Sequence, residues 1–300
     1  MTQLLTALQL PVVRQWQQGA ALYQFDRQAP AQRYSDTQTY ADAYRLAGGT
    51  VQLVNALLAT LPPSCLQLNH SLTQLCDEGN QVALAFENQP SACASQAILS
   101  MPPRLIGHQI AFLPELDPKV QAVMQNTPTW MAGHAKVAVQ YETPFWRQQG
   151  FSGAAMASFM GAPLGEIFDA CGPQANPAVL GAFMALPAAL RREWRQDLRE
   201  LVLDQLIHLF GEQAAQPICF HIQDWAEETH TATADDAQPP MDHPEYGHPW
   251  LALDHWHDKL HFCGTETERE GGGYMEGALR SAERILHTLN LSFEQEIAHV

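Results

Sequence analysis

An α/β fold is predicted from three features of the sequence. Near its end, Leu260 and Phe262 alternate with His261 and Cys263 as a short strand, and Gly264-Thr265 and Gly271-Gly272-Gly273 then punctuate the chain. Met275, Ala278, Leu279, Ala282, Ile285, Leu286 and Leu289 follow at the spacing of one helical face. Elsewhere, period-two runs (Val82, Leu84, Phe86; Val137, Val139, Tyr141; Ile218, Phe220, Ile222) predict strands, while helical stripes run over 51–61 and 190–210. At 300 residues the chain makes one large or two modest domains.

Taken in order, the elements have distinct local causes. Leu4, Leu5 and Leu8 start a helical pattern that Pro11 stops. The aromatics Trp16, Tyr23, Phe25, Tyr34, Tyr40 and Tyr44, set among polar residues, suggest an irregular cap on the body. Gly48-Gly49-Thr50 opens an amphipathic helix, Val51 to Leu61, ended by Pro62-Pro63. Leu66, Leu68 and Leu72 suggest a strand and turn. Asp77-Glu78-Gly79-Asn80 is a turn before the strand of Val82, and Ala97-Ile98-Leu99-Ser100 is a buried strand stopped by Pro102-Pro103. In Ala135 to Tyr141, Lys136 interrupts an apolar strand; buried, it would be chemically useful, whereas an edge-strand lysine would blunt aggregation. Residues 150–165 read as strand and turn. The run from Leu190 to Phe210, closed by Gly211, reads as one long helix with Arg191, Arg192, Arg195 and Arg199 on its solvated face.

Composition narrows the function. A net charge of −16 argues against nucleic acid, which needs a basic face, and suits cationic small molecules. No apolar run is long enough for a membrane span. Cys65, Cys76, Cys93, Cys171, Cys219 and Cys263 lack Cys-x-x-Cys spacing and read as buried thiols of a reducing compartment, the cytoplasm. A polar loop, Thr229 to Trp256, holds Pro239, Pro240, Pro244 and Pro249. Within and after it, His243, His248, His255, His257 and His261 lie near Asp242, Asp254 and Asp258, but their spacing matches no ligand template, so no metal is assigned.

The strand–glycine–helix stretch leaves two readings open, a packing turn or a cradle whose free N–H groups meet an electron-rich ligand. Here a resemblance adds to the residues. Gly264-Thr265-Glu266-Thr267 followed by Gly273-Tyr274-Met275-Glu276-Gly277-Ala278 resembles the C-terminal flavin-binding segment of the flavin-containing amine oxidases, the monoamine and polyamine oxidase family. Gly48-Gly49-Thr50, Met101-Pro102-Pro103, Lys136 in Ala-Lys-Val, Pro144-Phe145-Trp146-Arg147 and Asp224-Trp225-Ala226-Glu227-Glu228 follow in family order.

The resemblance implies a two-domain α/β fold, with a discontinuous flavin-binding part (48–125 and 223–300) and a mixed-sheet substrate part (1–47 and 126–222). It implies non-covalent FAD, bound by Gly264, Thr265, Glu266, Gly273, Tyr274 and Met275, of which Gly264, Thr265, Gly273 and Met275 would hold it mainly through backbone. Leu72 would lie beside the adenine and Trp225 beside the flavin. Lys136 would place a water, and Tyr274 would orient an amine that is oxidised by hydride transfer to the flavin, with oxygen then reduced to hydrogen peroxide.

Two departures accompany it. The family's second substrate-flanking ring would fall at Ala234-Asp235-Asp236, which carries no ring and no cysteine for a flavin thioether. The family's strand–Gly-x-Gly-x-x-Gly–helix is also absent from these 300 residues, and three explanations compete: a wrongly assigned start, a gene fragment, or a partial protein that an N-terminal segment or subunit completes. The alternatives are a non-catalytic fragment that holds no flavin and a metal-dependent hydrolase built on the histidine loop.

Overall fold

The computed structural model describes residues 1–35, 43–238, 240 and 242–297, with side chains described as far as residue 289. Tyr40 and Pro239, named above, lie outside them. The chain forms two compact units. One comprises Met1, Pro62–Ala132 and Ala226–Val300, the other Thr2–Leu61 and Gly133–Trp225.

The second unit is built on a seven-stranded mixed sheet. Its spatial order is Cys219–Asp224, Ala135–Tyr141, Ala178–Met184, Leu164–Asp169, Phe151–Ala157, Ala20–Gln24 and Gln32–Tyr34. Neighbours are antiparallel except Phe151–Ala157 and Ala20–Gln24, which run parallel. Alternation sends Val137, Val139 and Tyr141 into a core with Leu180, Ile167, Trp146, Leu206 and Phe210. At the end of the strand Leu164–Asp169, Asp169 is buried and satisfied. It accepts bonds from Arg147 Nε and Nη2 (2.7 and 2.8 Å), Trp146 Nε1 (2.9 Å) and the Cys171 N–H (3.0 Å).

The first unit carries a four-stranded sheet, ordered Gln89–Ala94, Val82–Phe86, Leu72–Asp77 and Ala111–Leu113, and a separate parallel pair, Ala97–Leu99 with Leu260–Phe262. Leu75, Val82, Leu99, Ile106, Val120, Met124, Leu251, Leu260 and Phe262 form one core. The helices Pro103–Gln109 and Pro118–Asn126 each begin on a proline, whose fixed φ suits the first helical position.

Several expectations are corrected. Residues 1–47 do more than cap the body. Ala20–Gln24 is a buried strand, because Ala20, Ala21 and Leu22 are small or apolar enough to lie inside the sheet. The run over 190–210 is two helices, Ala188–Glu193 and Leu198–Phe210, broken at Trp194 to Asp197, with Gly211 at φ +87° closing the second. Arg191 is buried rather than solvated. Its guanidinium grips Asp224 (2.7 and 2.6 Å) and donates to the Leu186 and Gly133 carbonyls. Cys171 alone of the six cysteines is buried, since Cys93 and Cys219 stand on outward positions of edge strands. On the helix Val51–Leu58 the stripe faces outward: Leu53 is its buried residue, and Val51, Val54, Leu57 and Leu58 are exposed.

Candidate cofactor and substrate site

The strand Leu260–Phe262 is buried along its length, and the Cys263 N–H continues its pairing to the Leu99 carbonyl at 2.9 Å. The chain then turns at Gly264, whose φ of +121° strains any residue with a Cβ. A short 3₁₀ turn, Thr265–Thr267, follows. Its hydroxyls tie the turn together: Thr265 Oγ1 donates to the Tyr274 carbonyl (2.7 Å) and Thr267 Oγ1 to the Gly264 carbonyl (2.8 Å).

The helix Met275–Ile297 packs through only part of the predicted apolar stripe. Met275 and Leu286 are about half exposed, whereas Gly277, Ser281 and Ile285 are buried. Polar groups hold this face onto the turn. Ser281 Oγ accepts the Gly264 N–H (3.0 Å), and Arg284 donates to Glu268, Thr267 Oγ1 and the Phe262 carbonyl. Close approach selects the face, because a Cβ on Gly277 would meet the Gly271 carbonyl oxygen at 2.3 Å.

Glu266 is 6% exposed, and among the described residues no side chain is recorded donating to its carboxyl; burial pushes its pKa up. A buried carboxyl without a protein side-chain partner, beside a glycine turn and a helix start, fits a polar ligand. Tyr274 stands at the mouth of this segment, 58% exposed, so it is not a core residue. Its ring stacks on His243, with centroids 5.1 Å apart and planes within 6°. His243 Nδ1–H donates to the Pro244 carbonyl (2.9 Å), and its ring also meets Trp130 and Tyr246. Tyr246 donates from its hydroxyl to the Pro128 carbonyl (2.8 Å), and burial pushes its pKa up. These rings flank a cavity of about 660 Å³ lined by His243, Glu245, Tyr246, Arg269 and Tyr274.

The predicted residues divide between the units. Leu72, Gly264, Thr265, Glu266, Gly273, Tyr274 and Met275 belong to the first, and Lys136 and Trp225 to the second. Leu72 begins a strand and pairs with Phe86. Trp225 is half-buried and donates its backbone N–H to the His134 carbonyl (3.0 Å). Lys136 lies on a central strand, which removes the edge-strand reading. Its side chain is exposed rather than buried, with Nζ 5.1 Å from the Phe183 ring centroid.

Ala234–Ala237 forms a 3₁₀ turn with a Thr233–Asp236 capping box, and Asp236 pairs with Arg104. The ring facing Tyr274 comes instead from His243, read from sequence as part of a solvated loop. Ser281 and Arg284 were also missed, because the apolar periodicity drew attention to the other helical face. In the histidine loop, His261 is buried and fully engaged, Nδ1 with Asp254 (2.7 Å) and Nε2 donating to the Asp258 carbonyl (3.0 Å). Among the described residues no group of three or more His, Cys, Asp or Glu is placed to hold a metal.

A buried strand feeding a glycine turn and a helix pinned close above it, in a two-unit mixed α/β chain, is an arrangement able to hold a cofactor. The model of the family described as flavin containing amine oxidoreductase matches residues 20–285. The chain belongs to that family. AofH of Mycobacterium tuberculosis is 32% identical over 261 residues, covering 84% of this chain and 53% of the relative. The flavin-containing amine oxidase of Danio rerio is 28% identical over 244 residues, covering 80% and 45%. The chain thus spans about half the length of these relatives. Cyclohexylamine oxidase from Brevibacterium oxydans shares the fold at a TM-score of 0.79 and 18% identity, the match covering 97% of this chain and 85% of that one. A putrescine oxidase bound to putrescine does so at 0.74 and 16%, with the same coverage.

Proposed function

We propose that this chain forms part of an FAD-dependent oxidoreductase acting on a small amine. The turn at Gly264, with the buried Glu266 carboxyl beside it, carries the reading. Gly264, Thr265, Glu266, Gly273 and Met275 would hold the cofactor without a covalent link, largely through backbone, with Leu72 toward its adenine and Trp225 toward its ring system. When bound, flavin would supply the redox chemistry that the family resemblance implies, hydride acceptance from the carbon beside a neutral amine with oxygen reduced to hydrogen peroxide.

The chain's own residues position and exclude. Tyr274 presents an exposed ring whose one face is already stacked on His243. Its remaining surface aligns the amine, as aromatic faces attract cationic and polarised nitrogen. Lys136 would hold a water. A Gly-x-Gly-x-x-Gly turn, which these 300 residues lack, would come from a completing segment or subunit and take the pyrophosphate. The partner is a small amine, with neither nucleic acid nor membrane engaged. Six free cysteines support a reducing, cytoplasmic setting.

Tyr274 tests the substrate side. In the completed protein, Tyr274→Phe should retain flavin with a modest change in turnover, because the ring and its stacking remain. Tyr274→Ala should retain flavin yet lose most amine turnover. Unchanged turnover per bound flavin in Tyr274→Ala would remove Tyr274 from the site.

A further inference from the structure

In the second unit, the helix Val51–Leu58 turns its apolar side away from the body that carries it. Leu53 is buried and Ala56 partly so, and these two face inward. Val51, Val54, Leu58 and Leu61 recur at i, i+3, i+7 and i+10, with Leu57 beside them, as one stripe along the helix and just past its end. All five are exposed, from 38% at Leu58 to 55% at Val51. A helix of eight residues is marginal in water, and packing of an apolar face is what ordinarily stabilises one. A contiguous apolar face left in water marks an interaction surface.

The chemistry of the stripe narrows its occupant. No Asp, Glu, Lys or Arg occurs from Leu46 to Cys76, although the chain carries a net charge of −16. Nucleic acid and anionic lipid surfaces both need Lys or Arg beside the contact, so neither fits. A second copy would bring its own net charge of −16 against this one, which opposes self-association. A further polypeptide with an uncharged apolar face has neither difficulty. The chain spans about half the length of the relatives it matches, so a complete relative holds a comparable length of polypeptide to lie against such a helix.

We infer that Val51, Val54, Leu57, Leu58 and Leu61 form the docking surface for the polypeptide that completes this chain. The inference rests on the completing segment of the function proposed above and adds a contact for it in the second unit, apart from the glycine turn at Gly264. The occupant covers the stripe with apolar side chains and holds the short helix in place.

The test is co-expression of the 300-residue chain with a tagged probe, the part of AofH that lies outside its match to this chain. Wild type should be captured, with amide hydrogen exchange over 51–58 slowed in the complex. Val54→Asp should weaken capture about tenfold or more, because a carboxylate would be buried against apolar surface, while the melting temperature of the chain alone stays unchanged. Leu61→Asp, which lies past the helix and leaves its propensity untouched, should do the same. No capture of wild type, equal capture of both variants, or a dimer of the chain alone that Val54→Asp dissociates would each overturn the inference. Flavin content of the complex is read separately. Capture that depends on the stripe but brings no flavin would keep this surface and remove the proposed function, whereas a flavin-loaded complex indifferent to Val54→Asp and Leu61→Asp would do the reverse.

Discussion

Glu266 shows how a single residue can carry information that its sequence neighbourhood hides. Read as one acidic position in Gly-Thr-Glu-Thr, it has no obvious burial signal. In the fold it is enclosed, and desolvation favours its protonated form. The sign of the consequence follows. At low pH the carboxyl is protonated in both folded and unfolded chains. As pH rises through the ordinary carboxyl value, the unfolded chain ionises first, so stability falls. Glu266→Gln keeps the shape and removes the titration. Its melting temperature relative to wild type should therefore rise as pH increases from below the ordinary carboxyl range toward neutrality; a pH-independent difference would place the charge in water. Tyr274 and Lys136 were legible as residues of interest because of their motifs. Their exposure was not, since it depends on the ring of His243 and on a sheet neighbour, Phe183, far away in sequence.

At the scale of elements, periodicity located strands well and helical faces less well. The strand around Val137 alternates as read, because one face meets a core, whereas Val82–Phe86 buries Val82 alone and Ile218, read with Phe220 and Ile222, is exposed just before its strand. The final helix was found, but Gly277, Ser281 and Arg284 share its contact face with Ile285 of the stripe, placed there by backbone approach and hydrogen bonding that hydrophobic spacing does not report. Arg191 is the parallel case in the second unit. It lies in an arginine-rich run that looks solvated, yet it joins the helix Ala188–Glu193 to the end of the strand Cys219–Asp224 through Asp224. Removing it takes two donors from the Asp224 carboxylate and a donor from each of the Leu186 and Gly133 carbonyls. Arg191→Leu should therefore destabilise the protein by about 3 kcal/mol or more, since breaking one side of a buried pair costs that order. Urea unfolding measures it. A loss below about 1 kcal/mol, the worth of an exposed pair, would show that solvent replaces the guanidinium.

For the whole molecule, the α/β class and the family were legible from motifs, while the strand order was not. Ala20–Gln24 joins Phe151–Ala157 across a long sequence separation, and no local pattern announces such a pairing. The outward apolar stripe of Val51–Leu58 was likewise invisible, because periodicity gives a stripe without saying what it meets. The chain matches about half of its relatives' length, and the proposed function needs a pyrophosphate-binding turn that these 300 residues do not contain. The central claim is that the turn at Gly264 holds flavin once that contact is supplied. Flavin absorbance per polypeptide after gel filtration measures it most directly, for the chain alone and for the chain co-expressed with a segment bearing the family's Gly-x-Gly-x-x-Gly turn. Little flavin is expected with the chain alone, about one per complex with the segment, and little again when the chain carries Gly264→Ala. Stoichiometric flavin that survives Gly264→Ala, or none in a folded complex, would contradict the claim.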